Sequence, residues 1–373
     1  NASELQQAID EGKDHIILTD DIDLNDLLSR ATDTDPKLVI NKGNTFTIDL
    51  NSKKLSATSS LTTNPREMFL VKGNLTVVNG TIEYKHTGEN MEWNAMTTIF
   101  DITDGGVLNL DGVVAKNLGG TDMTFVAHLN NWGEVTLNVN NSTLESNYVA
   151  VRVFNSGHDM NNVTIKNSTL KGASVAFWVH NYTVEDFGSQ ATADAQKALL
   201  NLDIFNGTNT FVGTARFGMT NSIRYTVVNT AEELKTAFEN GGAYTLNKNI
   251  ETTTSLILAN GKDVVLDLAG NTLSGVDEGT ASYGLIYNQG NLTINDIKGT
   301  GKIQLSATQN RGWSAYSSVI SNNPGGVLVV NGGLIEHLGG TDMAYGIDNL
   351  TNGKGTSAVT GVNGATVKST YRA

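Results

Sequence analysis

The feature that most constrains this chain is a short unit that recurs from Thr45 onward. Each unit has an apolar alternating strand, a Gly or Asn turn, a second strand, then Asn-Gly/Ser-Thr and a third strand. The first strands centre on Leu70, Asp101, Ala127, Val151 and Phe177, at spacings of 31, 26, 24 and 26 residues (101 − 70, 127 − 101, 151 − 127, 177 − 151). Second strands fall at Leu75–Val78, Val107–Leu110, Val135–Val139, Val163–Ile165 and Leu200–Ile204. Third strands fall at Thr81–Glu83, Val113–Ala115, Thr143–Glu145 and Thr169–Lys171. Self-similarity at a period of roughly 20–50 residues marks a solenoid. Three strands per period specify a parallel β-helix, in which each coil covers the apolar inside of its neighbour.

The turns fit that plan. Asn79, Asn141, Asn167 and Asn206 each precede Gly or Ser and then Thr, and Asn tolerates the left-handed conformation of a sharp corner. Stacked corners are expected to set asparagines above one another in a ladder. Asp186 to Ala198 breaks the period and reads as a loop or short helical excursion.

A longer repeat overlies the short one. Leu118-Gly119-Gly120-Thr121-Asp122-Met123 returns as Leu338-Gly339-Gly340-Thr341-Asp342-Met343, an offset of 338 − 118 = 220 that also relates Trp93 to Trp313. Residues 2–12 and 230–241 each read as a short amphipathic helix before a strand, a plausible plug for the open end of a stacked core. The expected class is therefore all-β: a right-handed parallel β-helix in two tandem copies, each preceded by a capping α-helix. The expected division is 1–225 and 226–373. The second copy stops within a coil, which implies a longer natural protein, and the opening at Asn1 inside a capping pattern implies a mature or trimmed product.

Composition narrows function. The chain has 373 residues, 39 Gly, 3 Pro and no Cys, with a net charge of −13. That charge argues against nucleic acid and anionic membranes, and against polyanionic substrates unless a cation bridges them. Without cysteine there is neither a disulfide framework nor a thiolate metal site. No run of about 18 apolar residues is present to span a membrane. The Asn-x-Ser/Thr sequons read more readily as turn chemistry than as glycosylation.

Glu232-Glu233-Leu234-Lys235-Thr236-Ala237 and Val265-Leu266-Asp267-Leu268-Ala269-Gly270-Asn271-Thr272-Leu273, with the coil pattern, resemble right-handed β-helix proteins of the pectate-lyase-like superfamily and repeated surface proteins of host-associated bacteria. The resemblance implies the fold over nearly the whole chain and leaves activity open. Enzyme signatures of that superfamily are mostly missing. Gly157-His158-Asp159 comes near one of them without the accompanying Asp pair.

Strand alternation marks candidate ligand-binding residues. Phe125, Ala127 and Leu129, with Val149, Val151 and Val153, and with Val175, Phe177 and Val179, are expected inward. His128, Arg152 and Trp178 then line up outward with Asp101 one coil earlier, an acid, an imidazole, a guanidinium and an indole that together suit a sugar. The plainer reading makes them ordinary residues of a solvated sheet. At offset 220, Asp101 and His128 become Ser321 and Asp348, so the second copy does not reproduce the row. Trp93 with Asp122, and Trp313 with Asp342, form a second candidate set, alternatively a structural Gly-Gly corner with an Asp-capped turn. Neither set implies a metal site, catalytic residues or a cofactor.

The resulting expectation is a non-enzymatic, secreted or cell-surface protein, adhesin-like or glycan-binding, monomeric and without nucleic-acid or membrane-inserting function. A polysaccharide lyase or glycoside hydrolase, and a structural spacer, are the alternatives.

Overall fold

The structure, a computed structural model, describes residues 1–25, 38–59, 66–87, 96–120, 122–130, 132–155, 159–310, 312, 315–340, 342–350 and 359–372. It is an all-β, mostly parallel β-solenoid of about 10 turns. Among the described residues it has only four short helices, Ala2–Asp10, Val184–Phe187, Gln190–Lys197 and Ala231–Asn240. The chain divides into two compact units: residues Asn1–Ile204 with Thr208–Arg224, and Phe205–Gly207 with Tyr225–Ala373.

In the first unit each coil contributes one strand to each of three parallel sheets, and like residues stack into columns. The first-strand sheet carries Leu38, Phe69, Phe100, Ala127, Val151, Phe177 and Ala215 in successive register, and all are buried. Bulky and small side chains compensate along this column: Phe69 and Phe100 stack at 5.1 Å between ring centroids, whereas alanine occupies the next rung. The second-strand column runs Ile48, Val77, Leu110, Val139, Ile165. The third runs Leu55, Ile82, Ala115, Leu144, Leu170. Each large apolar side chain so buried contributes roughly 1.5–3 kcal/mol, which makes the inward alternation decisive for register.

Second and third strands run together as Asn74–His86 and Val107–Leu118, without the break that the sequence suggests. The corner asparagines explain how the chain still bends. Asn79, Asn141 and Asn167 have φ of 59°, 48° and 50°, the left-handed region that Asn enters most easily after Gly. Asn206 departs from this rule: the left-handed residue there is Gly207, at φ 80°. The amides of Asn79, Asn141 and Asn167 reach other partners than one another. Asn141 Nδ2 donates to Asp111 Oδ1 (3.1 Å) and Asn167 Nδ2 to Asn140 Oδ1 (3.2 Å), one coil down. True asparagine ladders stand on the second-strand sheet instead, where Asn138 donates to Asn109 (2.9 Å) and Asn109 to Asn74 (3.2 Å).

The periodicity break resolves into the helices Val184–Phe187 and Gln190–Lys197. Asp186 fixes this excursion. Its carboxylate accepts the backbone N–H groups of Tyr182, Thr183, Met219 and Thr220. Burial alone would raise its pKa, but these four donors hold it down to about 2.

The second unit stacks its parallel strands in three columns around one core that includes Leu256, Leu266, Leu273, Ile286, Ile294 and Ile303. Leu234 and Phe238, on the inner face of helix Ala231–Asn240, belong to that core. In the first unit, helix Ala2–Asp10 opens with a capping box between Asn1 and Glu4 and buries Ala2, Leu5 and Ile9. No helix among the described residues is long and apolar enough to cross a membrane.

Candidate functional site

The outward column of the first-strand sheet runs Leu70, Asp101, His128, Arg152, Trp178, Arg216, one residue per coil. Asp101, His128, Arg152 and Trp178 therefore stand side by side, roughly 4.8 Å per step. Their setting differs from a solvated sheet. Asp101 is 9% exposed, His128 3%, Arg152 3% and Trp178 4%. These side chains leave the sheet on its outer face and are then covered by one another and by Met96, Tyr148 and the turn at Gly218.

The inward set also needs correction. Phe125, Val149 and Val175, expected beside Ala127, Val151 and Phe177, pack with Trp178 and Met123 in a cluster of their own. The Phe125 ring lies 5.8 Å from that of His128. Strict alternation fails at this end of the strands, where the register slips between Val175 and Phe177. The outer face is thus apolar enough to be sealed.

Within the sealed face most polar groups have partners, with His128 Nε2 and Arg152 Nε the exceptions. His128 Nδ1 lies 2.9 Å from Asp101 Oδ1, which places the ring proton on Nδ1 and leaves Nε2, buried and without a partner, as the lone-pair nitrogen. Burial lowers the pKa of His128 against the opposing pull of Asp101. Arg152 Nη2 lies 2.7 Å from His180 Nδ1. A guanidinium only donates, so His180 accepts and is neutral. Burial, reinforced by the Arg152 charge, lowers the His180 pKa to about 3. Burial likewise lowers Arg152 to about 10, still charged at neutral pH.

Aromatic faces take the place of a counter-ion. The Arg152 guanidinium lies 5.2 Å from the Phe125 ring centroid and 5.1 Å from those of Phe154 and Trp178. Arg216 lies 4.4 Å from the Trp178 centroid, and Trp178 Nε1 donates to the Gly218 carbonyl at 3.0 Å. Trp178 is consequently engaged by two guanidiniums and a hydrogen bond, with no free ring face to offer a sugar. An Asp–His pair with a lone-pair Nε2 beside a guanidinium has the ingredients of general base catalysis, but here it is packed closed.

Asp122 is half-buried, and its Oδ1 accepts the backbone N–H of Met123 at 2.8 Å. Gly120 and Gly340 share a left-handed φ of 62° and 65°, whereas Gly119 at 144° and Gly339 at 75° differ. A Cβ at Gly119 would overlap the His86 carbonyl, so close backbone approach requires glycine there. Asp342 is half-buried near Tyr345. Trp93, Trp313, and the Gly157-His158 of the partial motif lie outside the described residues.

The second unit holds two arrangements that sequence reasoning missed. Ser317 Oγ donates to Asp277 Oδ2 (2.7 Å) and lies 2.9 Å from His337 Nε2, all three buried. The serine proton points to the aspartate, so the histidine donates to the serine, the reverse of an activated nucleophile. The signal for this group was legible: His337 occupies the inward rung paired with Leu305, where a polar residue is out of pattern.

The other is the outward column Ile257, Tyr287, Ser321, Asp348, the counterpart in position of Leu70, Asp101 and His128 in their own sheet. Ile257 is 58% exposed, Tyr287 and Asp348 are half-buried, and Ser321 is buried. Among the described residues no cluster of three or more His, Asp or Glu is placed to hold a metal. Compared with known proteins, the chain matches no family model, no curated protein and no solved structure.

Proposed function

We propose that the chain is a non-enzymatic, secreted or cell-surface β-solenoid that binds glycans, an adhesin-like scaffold of the pectate-lyase-like type. In this reading the two units are tandem copies of one plan, and helices Ala2–Asp10 and Ala231–Asn240 cap their open ends. The observation that carries it is the closed packing of Asp101, His128, Arg152 and Trp178. The groups best suited to cleaving a polysaccharide brace the wall of the solenoid instead of facing a substrate. The corner and ladder asparagines likewise serve the scaffold.

Catalysis is the second reading, favoured by the Asp101–His128 pair and its unpartnered Nε2. Screening the whole chain on a glycan array, with a reducing-sugar assay on each glycan bound, separates the two. Retention without cleavage is expected. Cleavage abolished by His128→Asn would establish the enzyme, and absence of both activities would leave a structural spacer.

A further inference from the structure

We propose that the glycan-binding face lies on the second unit, on the tyrosine-rich outer side of its first-strand sheet, and that it takes neutral oligosaccharides with vicinal hydroxyls. This deepens the glycan-binding reading above and rests on it. Four half-buried tyrosines gather there: Tyr287, Tyr316, Tyr345 and Tyr371. Tyr287 and Tyr316 interact through their hydroxyls, Tyr316 Oη lies 3.4 Å from Ser321 Oγ, and Tyr345 and Tyr371 meet edge to face at 5.8 Å. Small buried residues lie beneath the rings. Gly284 and Ser318 pair in the column that ends at Tyr345, and Gly284 lies under the Tyr287 ring, where a Cβ would stand 3.3 Å from it.

Asp348 gives the surface its ligand preference. It sits two rungs from Tyr287, about 10 Å away at one strand spacing per rung. Among the described residues its half-buried carboxylate accepts no hydrogen bond and forms no ion pair. Its exposed side is open to water, which a donor ligand can replace. Vicinal hydroxyls donate to both oxygens together, while the flat tyrosine faces cover the apolar C–H side of a sugar ring. A carboxylate in a chain of net charge −13 repels uronates and sulfated glycans. The first unit offers no equivalent, because its matching column is sealed.

The test compares the full chain with Asp348→Asn and Tyr345→Ala on an array of neutral and of uronate- or sulfate-bearing oligosaccharides, followed by titration calorimetry with the best neutral binder. The parent is expected to prefer neutral oligosaccharides. Each variant should weaken that binding by about tenfold or more, and Asp348→Asn should melt no lower than the parent. Neutral-glycan binding unchanged in both variants, or binding confined to anionic glycans, overturns the proposed face while leaving glycan binding in place. A parent that retains no glycan overturns both readings together.

Discussion

At the scale of single residues, Arg152 sets the energetics of the first unit more than its place on an outer face suggests. Its stem and guanidinium are packed against three rings, and it is the donor that His180 Nδ1 accepts. Alternation alone implies that Arg152→Ala is tolerated and Phe177→Ala is not. The structure places both in sealed surroundings. Arg152→Ala is expected to cost about 2–4 kcal/mol, through lost packing and an orphaned imidazole, against about 3–5 kcal/mol for Phe177→Ala. Urea denaturation of both variants checks this. A cost for Arg152→Ala within about 0.5 kcal/mol of zero, the range of ordinary surface changes, would return the residue to the solvated class.

At the scale of elements, the excursion from Val184 to Lys197 depends on one carboxylate. Asp186→Ala removes the acceptor of four backbone N–H groups; the half-buried Tyr182 and Thr183 donors lose most, while those of exposed Met219 and Thr220 turn to water. Hydrogen exchange at the Met219 and Thr220 amides is expected to accelerate by about tenfold or more, while amides of strand Val149–Phe154 stay protected. Loss of protection in both places would mean that the excursion is part of the cooperative core. This element also marks how far sequence reading reaches. Strands and corners were legible because a period of two and a left-handed asparagine are local signals. The cover over Asp101, His128, Arg152 and Trp178 was not, since Met96 reaches Arg152 across 56 residues of sequence and Gly218 reaches Trp178 across 40. His180 and Arg216 were missed as partners for the same reason: their roles appear only once neighbouring coils are in register. Asp348 stands where the row of the first unit does not recur, although its column is the more open one.

At the scale of the molecule, the two units carry opposite acid responses. The pKa of His180 is depressed to about 3 from an ordinary 6.5. Its neutral form therefore supports folding above pH 6.5, and that support is lost progressively as pH falls from 6.5 toward 3. His128, depressed too, acts in the same direction. In the second unit Asp267 is buried and accepts from Thr245, Ala269 and Ile297. Burial raises its pKa to about 6 from 3.8 despite those donors. Its protonated form supports folding fully below 3.8, and this contribution is lost as pH rises through about 6. Moving from pH 7 to pH 4.5 should destabilise the first unit through its histidines and relieve the second at Asp267. Asp267→Asn should abolish the relief. Exchange rates of amides in Val149–Phe154 and Asp263–Asp267, compared at the two pH values, report each unit separately. Parallel shifts in both strands, unaltered by Asp267→Asn, would contradict the assignment.

The stacking of parallel strands also has a mechanical meaning. Within a unit, the bonds that join coils point along the direction in which coils are added. Tension applied in that direction meets one rung at a time, as in a zipper, whereas tension along the strands loads every bond of a rung in shear. A unit pulled coil from coil should therefore yield at a low and nearly constant force. Each step from the rung of Asp101 to that of His128, 27 residues on, would release roughly 90 Å of extended chain. A tether built this way absorbs a pull by lengthening in measured increments, and the sealed column of Arg152 and Trp178 is where it should hold longest.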